Sequence, residues 1–206
     1  NYEPGEQVAA QALATLRSWN RAMDKDSVGA SIYIVYRDQV TRAVMDFPNV
    51  APLKVNPFKD EPPLFGAATY LWWVTPGLIR ANDTLLLPDG ETWEQILQTS
   101  FLRAVAWLQQ EFGDDQSQWQ WSSLHKTNPM HPITLAVPKL ASVLNPPSVS
   151  IGGDGDTPQA AAILPTTSFN VSGTSVARYI VDLGDWDNSR WIVPLGTSGH
   201  PGSNNY

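Results

Sequence analysis

The 206-residue sequence contains no cysteine. That excludes a disulfide, a thiolate metal site and a cysteine nucleophile, and it leaves the redox compartment unread. Charge is sparse, at 16% Asp, Glu, Lys and Arg, and one-sided: 13 Lys+Arg stand against 20 Asp+Glu, for a formal net charge of −7. Extended binding to nucleic acid needs a clustered basic surface that displaces counterions, and this balance argues against it. No run approaches the roughly 20 consecutive apolar residues that cross a bilayer. The chain opens on Asn1 without the basic and apolar regions of a signal peptide. With no initiating Met, the expectation is a processed product or a piece of something longer.

What is present is the composition of a folded domain: 42% hydrophobic residues, nine Trp, and 14 Gly and 17 Pro that follow no period. From Gln7 to Met23, the residues Val8, Ala12, Leu16, Trp19 and Met23 recur at helical spacing. Ser27 is placed to cap a second helix with the stripe Ile32, Val35, Tyr36, Val40, Ala43, Val44 and Phe47, ended by Pro48. Between residues 48 and 90, seven prolines argue for irregular wrapping, with a short apolar run at Ala67–Val74 whose type periodicity leaves open. A third helix is expected from Thr92 to Phe112, with Thr92 and Gln95 spaced as a capping box and Gly113 as the stop. Frequent prolines up to Pro147 favour short pieces. Val176–Leu183 and Trp191–Leu195, flanking the turn composition Gly184–Ser189, predict a hairpin. Helices first and strands last make the class α+β, with a mainly helical region at 1–150 and terminal strands at 151–206.

The residues that could carry chemistry form no convincing set. His125 and His131 are six apart with Pro129 between them, which is not a common two-histidine ligand spacing. Gly196-Thr197-Ser198-Gly199-His200 fails as a nucleophile elbow, because His200 stands where glycine is needed and no helix can follow. Gly152-Gly153-Asp154-Gly155-Asp156 could begin a calcium loop, but Pro158 replaces the third ligand, so Asp side chains capping local amides are the better reading. Of the tryptophans, Trp119, Trp121 and Trp186 fall in polar contexts; exposed and clustered, they would suit a non-catalytic module that binds a peptide or glycan. No catalytic or metal-binding residue is assigned to this chain, and its binding residues stay unknown.

Longer strings taken in order say more. Leu16–Ser31, reading LRSWNRAMDKDSVGAS, resembles a signature of the penicillin acylase family. Ser123-Leu124-His125, His131-Pro132, Gly152–Thr157, Tyr179–Leu183 and Gly196–Ser203 resemble later landmarks of that family's β subunit, in the family's order. Asn204, and Pro158-Gln159, depart from the pattern at local turns. The resemblance implies an N-terminal-nucleophile hydrolase with an αββα sandwich, whose catalytic sheet the terminal hairpin would join. In such enzymes a self-cleaved precursor exposes an N-terminal Ser that attacks an amide, its own α-amine serving as base and backbone and Asn donors holding the oxyanion. The implied substrates are acylated small molecules, such as β-lactam side chains or acyl-homoserine lactones, handled in the periplasm or outside the cell. By the same resemblance the nucleophile, the oxyanion donors, a catalytic Arg and a calcium ion belong upstream of this chain. The expected partners are then the α subunit and the N-terminal part of the β subunit, and the 206 residues alone are expected to be inactive and to expose an apolar face.

Overall fold

The computed structural model describes residues 4–50, 66–175, 177–192 and 198–205. Helix α1 spans Pro4–Ser18 and stops five residues before the Met23 expected from periodicity. The stop is made by side chains competing with the helix for backbone partners. The Trp19 indole donates to the Ala22 carbonyl at 3.0 Å, Asn20 Oδ1 accepts from the Ala22 amide at 2.9 Å, and Arg21 takes a left-handed φ of 65°.

Helix α2, Val28–Met45, starts where Ser27 accepts the Ala30 amide, as its sequence foretells. It is the central element. Ile32 and Val35 pack with Ala9 and Ala12 of α1 and with Ala104, Val105 and Leu108 further along the chain. Val40 and Val44 pack with Leu71 and Trp93, and Ala30 and Ile34 with Trp72, Trp121 and Ile163. Helix α4, Trp93–Phe112, carries the expected capping box, and the Gly113 amide closes onto the Gln109 carbonyl with φ of 79°.

The proline-rich stretch 48–90 departs from its expectation. Residues 51–65 lie outside the described residues, but Gly66–Ala81 forms helix α3 with Pro76 inside it. Pro76 has no amide to give the carbonyl four residues back, that of Trp72. Arg37 of α2 supplies the missing donor: its Nη2 reaches the Trp72 carbonyl at 2.8 Å, and its guanidinium lies 4.1 Å from the centre of the Trp72 ring.

Beyond α4 come only short pieces: α5 (Trp121–Leu124), α6 (Ile133–Ala136) and α7 (Ala141–Leu144), with 3₁₀ turns between. An unforeseen hairpin follows, β1 (Ala161–Leu164) antiparallel to β2 (Ser168–Thr174), with a bulge between Ala162 and Leu164. Its turn places Thr166 at φ 63°, and buried Asp38 holds it there. Asp38 Oδ1 accepts the Thr166 amide at 2.6 Å, Oδ2 accepts Arg42 Nε at 2.7 Å, and Arg42 Nη2 returns to the Thr166 carbonyl. A local pattern gives no warning of this hairpin, because its anchor lies more than a hundred residues earlier. The predicted terminal hairpin is present as β3 (Arg178–Ile180) paired with β4 (Arg190–Ile192), Tyr179 opposite Trp191. Its connection is organised by Asp182 and Asp185 side chains accepting nearby amides. The class is α+β, with two separate two-stranded sheets among the described residues.

Candidate functional site

Three stretches distant in sequence meet at one junction: 19–27 after α1, 121–125 at α5, and the glycine-rich loop 151–157. The Trp121 amide donates to the Ser27 carbonyl and that of Ser122 to the Lys25 carbonyl; the Gly153 amide donates to the Met23 carbonyl at 2.7 Å. The Trp121 indole closes the knot by donating to the Gly153 carbonyl at 2.9 Å. Glycines are required here. Gly153 has φ 83°, and a Cβ on it would meet the Gln159 carbonyl oxygen, while one on Gly152 would lie 2.7 Å from the Met23 carbonyl oxygen.

Trp119 and Trp121 are completely buried, so the exposed cluster that a peptide- or glycan-binding module would need is not formed. A tryptophan in a polar stretch can enter a core if its one donor finds an acceptor. Gly113 supplies it to Trp119 at 2.9 Å, and Gly153 to Trp121. Only Trp186 of that trio is exposed, so the three form no binding groove.

His125 sits under the junction, fully buried and stacked on Trp121 with ring centres 4.4 Å apart and planes 12° from parallel. Its Nδ1 lies 2.7 Å from the Phe169 carbonyl, which can only accept, so Nδ1 carries the proton. Nε2 is buried without a hydrogen-bond partner. Burial pushes the imidazole pKa below its ordinary value, against the opposing pull of the Phe169 carbonyl, Asp154 and the Ala161 backbone. His131 and His200 lie elsewhere, each ring accepting a nearby amide, from Ile133 and Gly202 respectively.

The D-x-D pair divides its work. Asp154 Oδ1 accepts the Asp156 amide at 2.7 Å, the capping expected of a turn. Asp156 Oδ2 faces Arg37 Nη1 at 3.6 Å. Burial and the neighbouring Asp154 push the Asp156 carboxyl up, against Arg37. The two carboxylates thus serve a turn and an ion pair, and among the described residues no group of three or more His, Asp or Glu could hold a metal ion. Beside the junction, Trp19, Arg21, Tyr33, Arg37 and Asp156 line an open cleft of about 610 Å³. The arrangement binds loops to one another; it aligns no hydroxyl with a proton acceptor. Gly199–Ser203 lies in a terminal turn in which the Ser198 amide donates to the Asn205 carbonyl, and residues 193–197 fall outside the described residues.

Three of the six strings that carried the resemblance meet here, and comparison with known proteins decides what they mean. The penicillin amidase family model matches residues 3–206. The chain belongs to the penicillin amidase family. It is 34% identical over 202 residues to penicillin acylase 2 proenzyme of Pseudomonas sp. (strain SE83), a match that covers 98% of this chain and 25% of that protein. It is 30% identical over 124 residues to acyl-homoserine lactone acylase QuiP of Pseudomonas fluorescens (strain Pf0-1), covering 60% of this chain and 14% of that one. The chain therefore spans about a quarter or less of the relatives it matches. In this chain the junction is a place where conspicuous sequence strings serve packing: the carbonyls of Met23, Ser27 and Gly153, the Trp121 amide and indole, and His125 Nδ1 pair with one another or with the Phe169 carbonyl.

Proposed function

We propose that the chain is the C-terminal part of an amidohydrolase precursor that cleaves the amide bond of acylated small molecules, either β-lactam side chains or acyl-homoserine lactones. The two relatives' names, an acylase of each kind, support that pair of substrate classes. The carrying observation is the coverage: nearly all of this chain aligns with a quarter of a proenzyme. The terminal hairpin agrees with it. Tyr179, Ile180, Trp191 and Ile192 are all exposed, although adjacent positions on a strand point to opposite faces. A two-stranded ribbon bare on both faces is marginal by itself and needs a layer on each side. Strands of a catalytic sheet, between a second sheet and a helical layer, are the setting that suits it.

In this reading the chemistry lies upstream. A precursor cleavage frees an N-terminal Ser whose hydroxyl attacks the amide carbon, its α-amine taking the proton; the amine product leaves, and water then hydrolyses the acyl-enzyme ester. The rest of the precursor, the α subunit and the N-terminal part of the β subunit, is the partner. The calcium ion of the family and a periplasmic or extracellular setting belong to the same proposal. The test is an assay of chromogenic acyl amides with two preparations, the complete gene product and residues 1–206. Turnover is expected only with the first, and turnover by residues 1–206 alone overturns the placement of the nucleophile.

A further inference from the structure

Residues 127–149 leave the body and return to the same point. At the base the Thr127 amide donates to the Val149 carbonyl at 2.8 Å, Thr127 Oγ1 accepts the Val149 amide at 2.9 Å, and the Ser148 hydroxyl donates to the Thr127 carbonyl. Inside the excursion, Asn145 Oδ1 accepts from the His131 amide at 2.9 Å and from the Thr134 hydroxyl at 3.1 Å. Pro129, Pro132, Pro138, Pro146 and Pro147 restrict φ at five more positions. The arm is thus shaped by its own bonds, the mark of a compact loop with joined ends.

Its shape turns apolar groups outward. Met130, Ile133, Leu135, Val137, Leu140 and Val143 are exposed, Leu135 to 71% and Val143 to 69%, while Thr134 is the buried member of α6. Charge is nearly missing as well. From Gln116 to Gly153 there is no Asp or Glu, in a protein with a net charge of −7, and Lys139 is the sole Lys or Arg between residues 127 and 149. A preformed apolar projection with a single charged side chain is unusual for a free surface and characteristic of an interface, since its ordering cost is met before a partner arrives.

We infer that the 127–149 arm docks onto an apolar surface of the preceding part of the same polypeptide. The inference rests on the reading of this chain as part of a longer acylase. Because the chain covers a quarter of a proenzyme, most of such a polypeptide lies outside it. Covalent linkage presents that remainder at an effective concentration of about millimolar, above that expected of a free partner.

A photo-crosslinking residue placed at Leu135, and separately at Val143, in the complete gene product tests the docking. Crosslinked peptides from outside residues 1–206 are expected. Crosslinks confined to residues 1–206, or formed with an isotope-labelled second copy, or appearing only when phosphatidylglycerol vesicles are added, overturn it. The double substitution Leu135→Asp with Val143→Asp is expected to speed proteolytic cleavage within the arm about tenfold, and an unchanged rate counts against docking. Amide hydrolysis by the unsubstituted product separates the two ideas. Outside crosslinks without turnover would sink the hydrolase reading and leave the docking intact, and turnover without outside crosslinks would do the reverse.

Discussion

The junction and the terminal hairpin are both built around tryptophan, and they treat it in opposite ways. Trp119 and Trp121 are wholly buried with their indole donors on backbone carbonyls, whereas Trp186 and Trp191 are exposed to 70% and 74%. The first region is complete within this chain: three loops satisfy one another and enclose His125. The second presents apolar side chains on both faces of a two-stranded ribbon. The difference teaches which parts of the chain carry their own stability and which await the rest of the polypeptide.

The sharpest way to break the comparison is to truncate one tryptophan from each region. Trp121→Ala is expected to destabilise the chain by about 3–5 kcal/mol in denaturant unfolding, since it opens a cavity and strips the Gly153 carbonyl of its donor. Trp191→Ala should stay within about 0.5 kcal/mol, the range of an exposed site; comparable losses would erase the contrast. The Asp38 clamp comes next. Asp38→Ala leaves the part-buried Thr166 amide without its acceptor and should lose about 1–3 kcal/mol, with hydrogen exchange rising first in β1 and β2. Gly29→Ala sharpens the picture of the junction's edge. A Cβ there would collide with Cγ of the Trp19 ring, so a loss of about 1–3 kcal/mol is expected, and a neutral result would mean that Trp19 can move away freely.

The smallest expected effect is a pH dependence of opposite sign at two groups. His125 has its pKa lowered by burial, so the folded chain binds fewer protons than the unfolded chain. Its contribution is full above the ordinary imidazole pKa of about 6.5 and declines as pH falls below it. Asp156 has its pKa raised, so the folded chain binds more protons, and its penalty is relieved as pH falls through the raised value towards the ordinary carboxyl range. Unfolding of the parent chain should therefore become easier between pH 7 and 5, and His125→Phe should flatten that slope. An unaltered slope in the variant assigns the acid sensitivity to other groups.

The helices α2 and α4 were legible because each carries local information sufficient for its ends: Ser27 before Val28, Thr92 with Gln95, and Gly113 after Phe112. The β3–β4 hairpin was legible for the same reason, from its alternation of extended runs and Asp-rich turn. Helix α1 was over-extended because periodicity does not count a side chain such as Trp19 that folds back on its own carbonyls. Helix α3 settles the type that periodicity leaves open for Ala67–Val74, and its extension through Pro76 has no local signal because the compensating donor is Arg37 of α2. The β1–β2 hairpin has no local signal because its anchor, Asp38, lies 128 residues from Thr166, while Trp119, whose acceptor Gly113 is six residues away, stands in a polar run that offers no apolar stripe.

The order of caps, apolar stripes and turn residues, and with it the α+β class and the family signature strings, was set by the linear chain, since a cap or a stripe acts over a few residues. What only the assembled molecule decided was where polar groups end up. Pro76 remains inside a helix because Arg37, 35 residues away from Trp72, takes the carbonyl that proline cannot serve. Segments carrying three of the signature strings become one junction because their backbone donors and acceptors must pair once water is excluded, and that pairing joins residues as far apart as Met23 and Gly153.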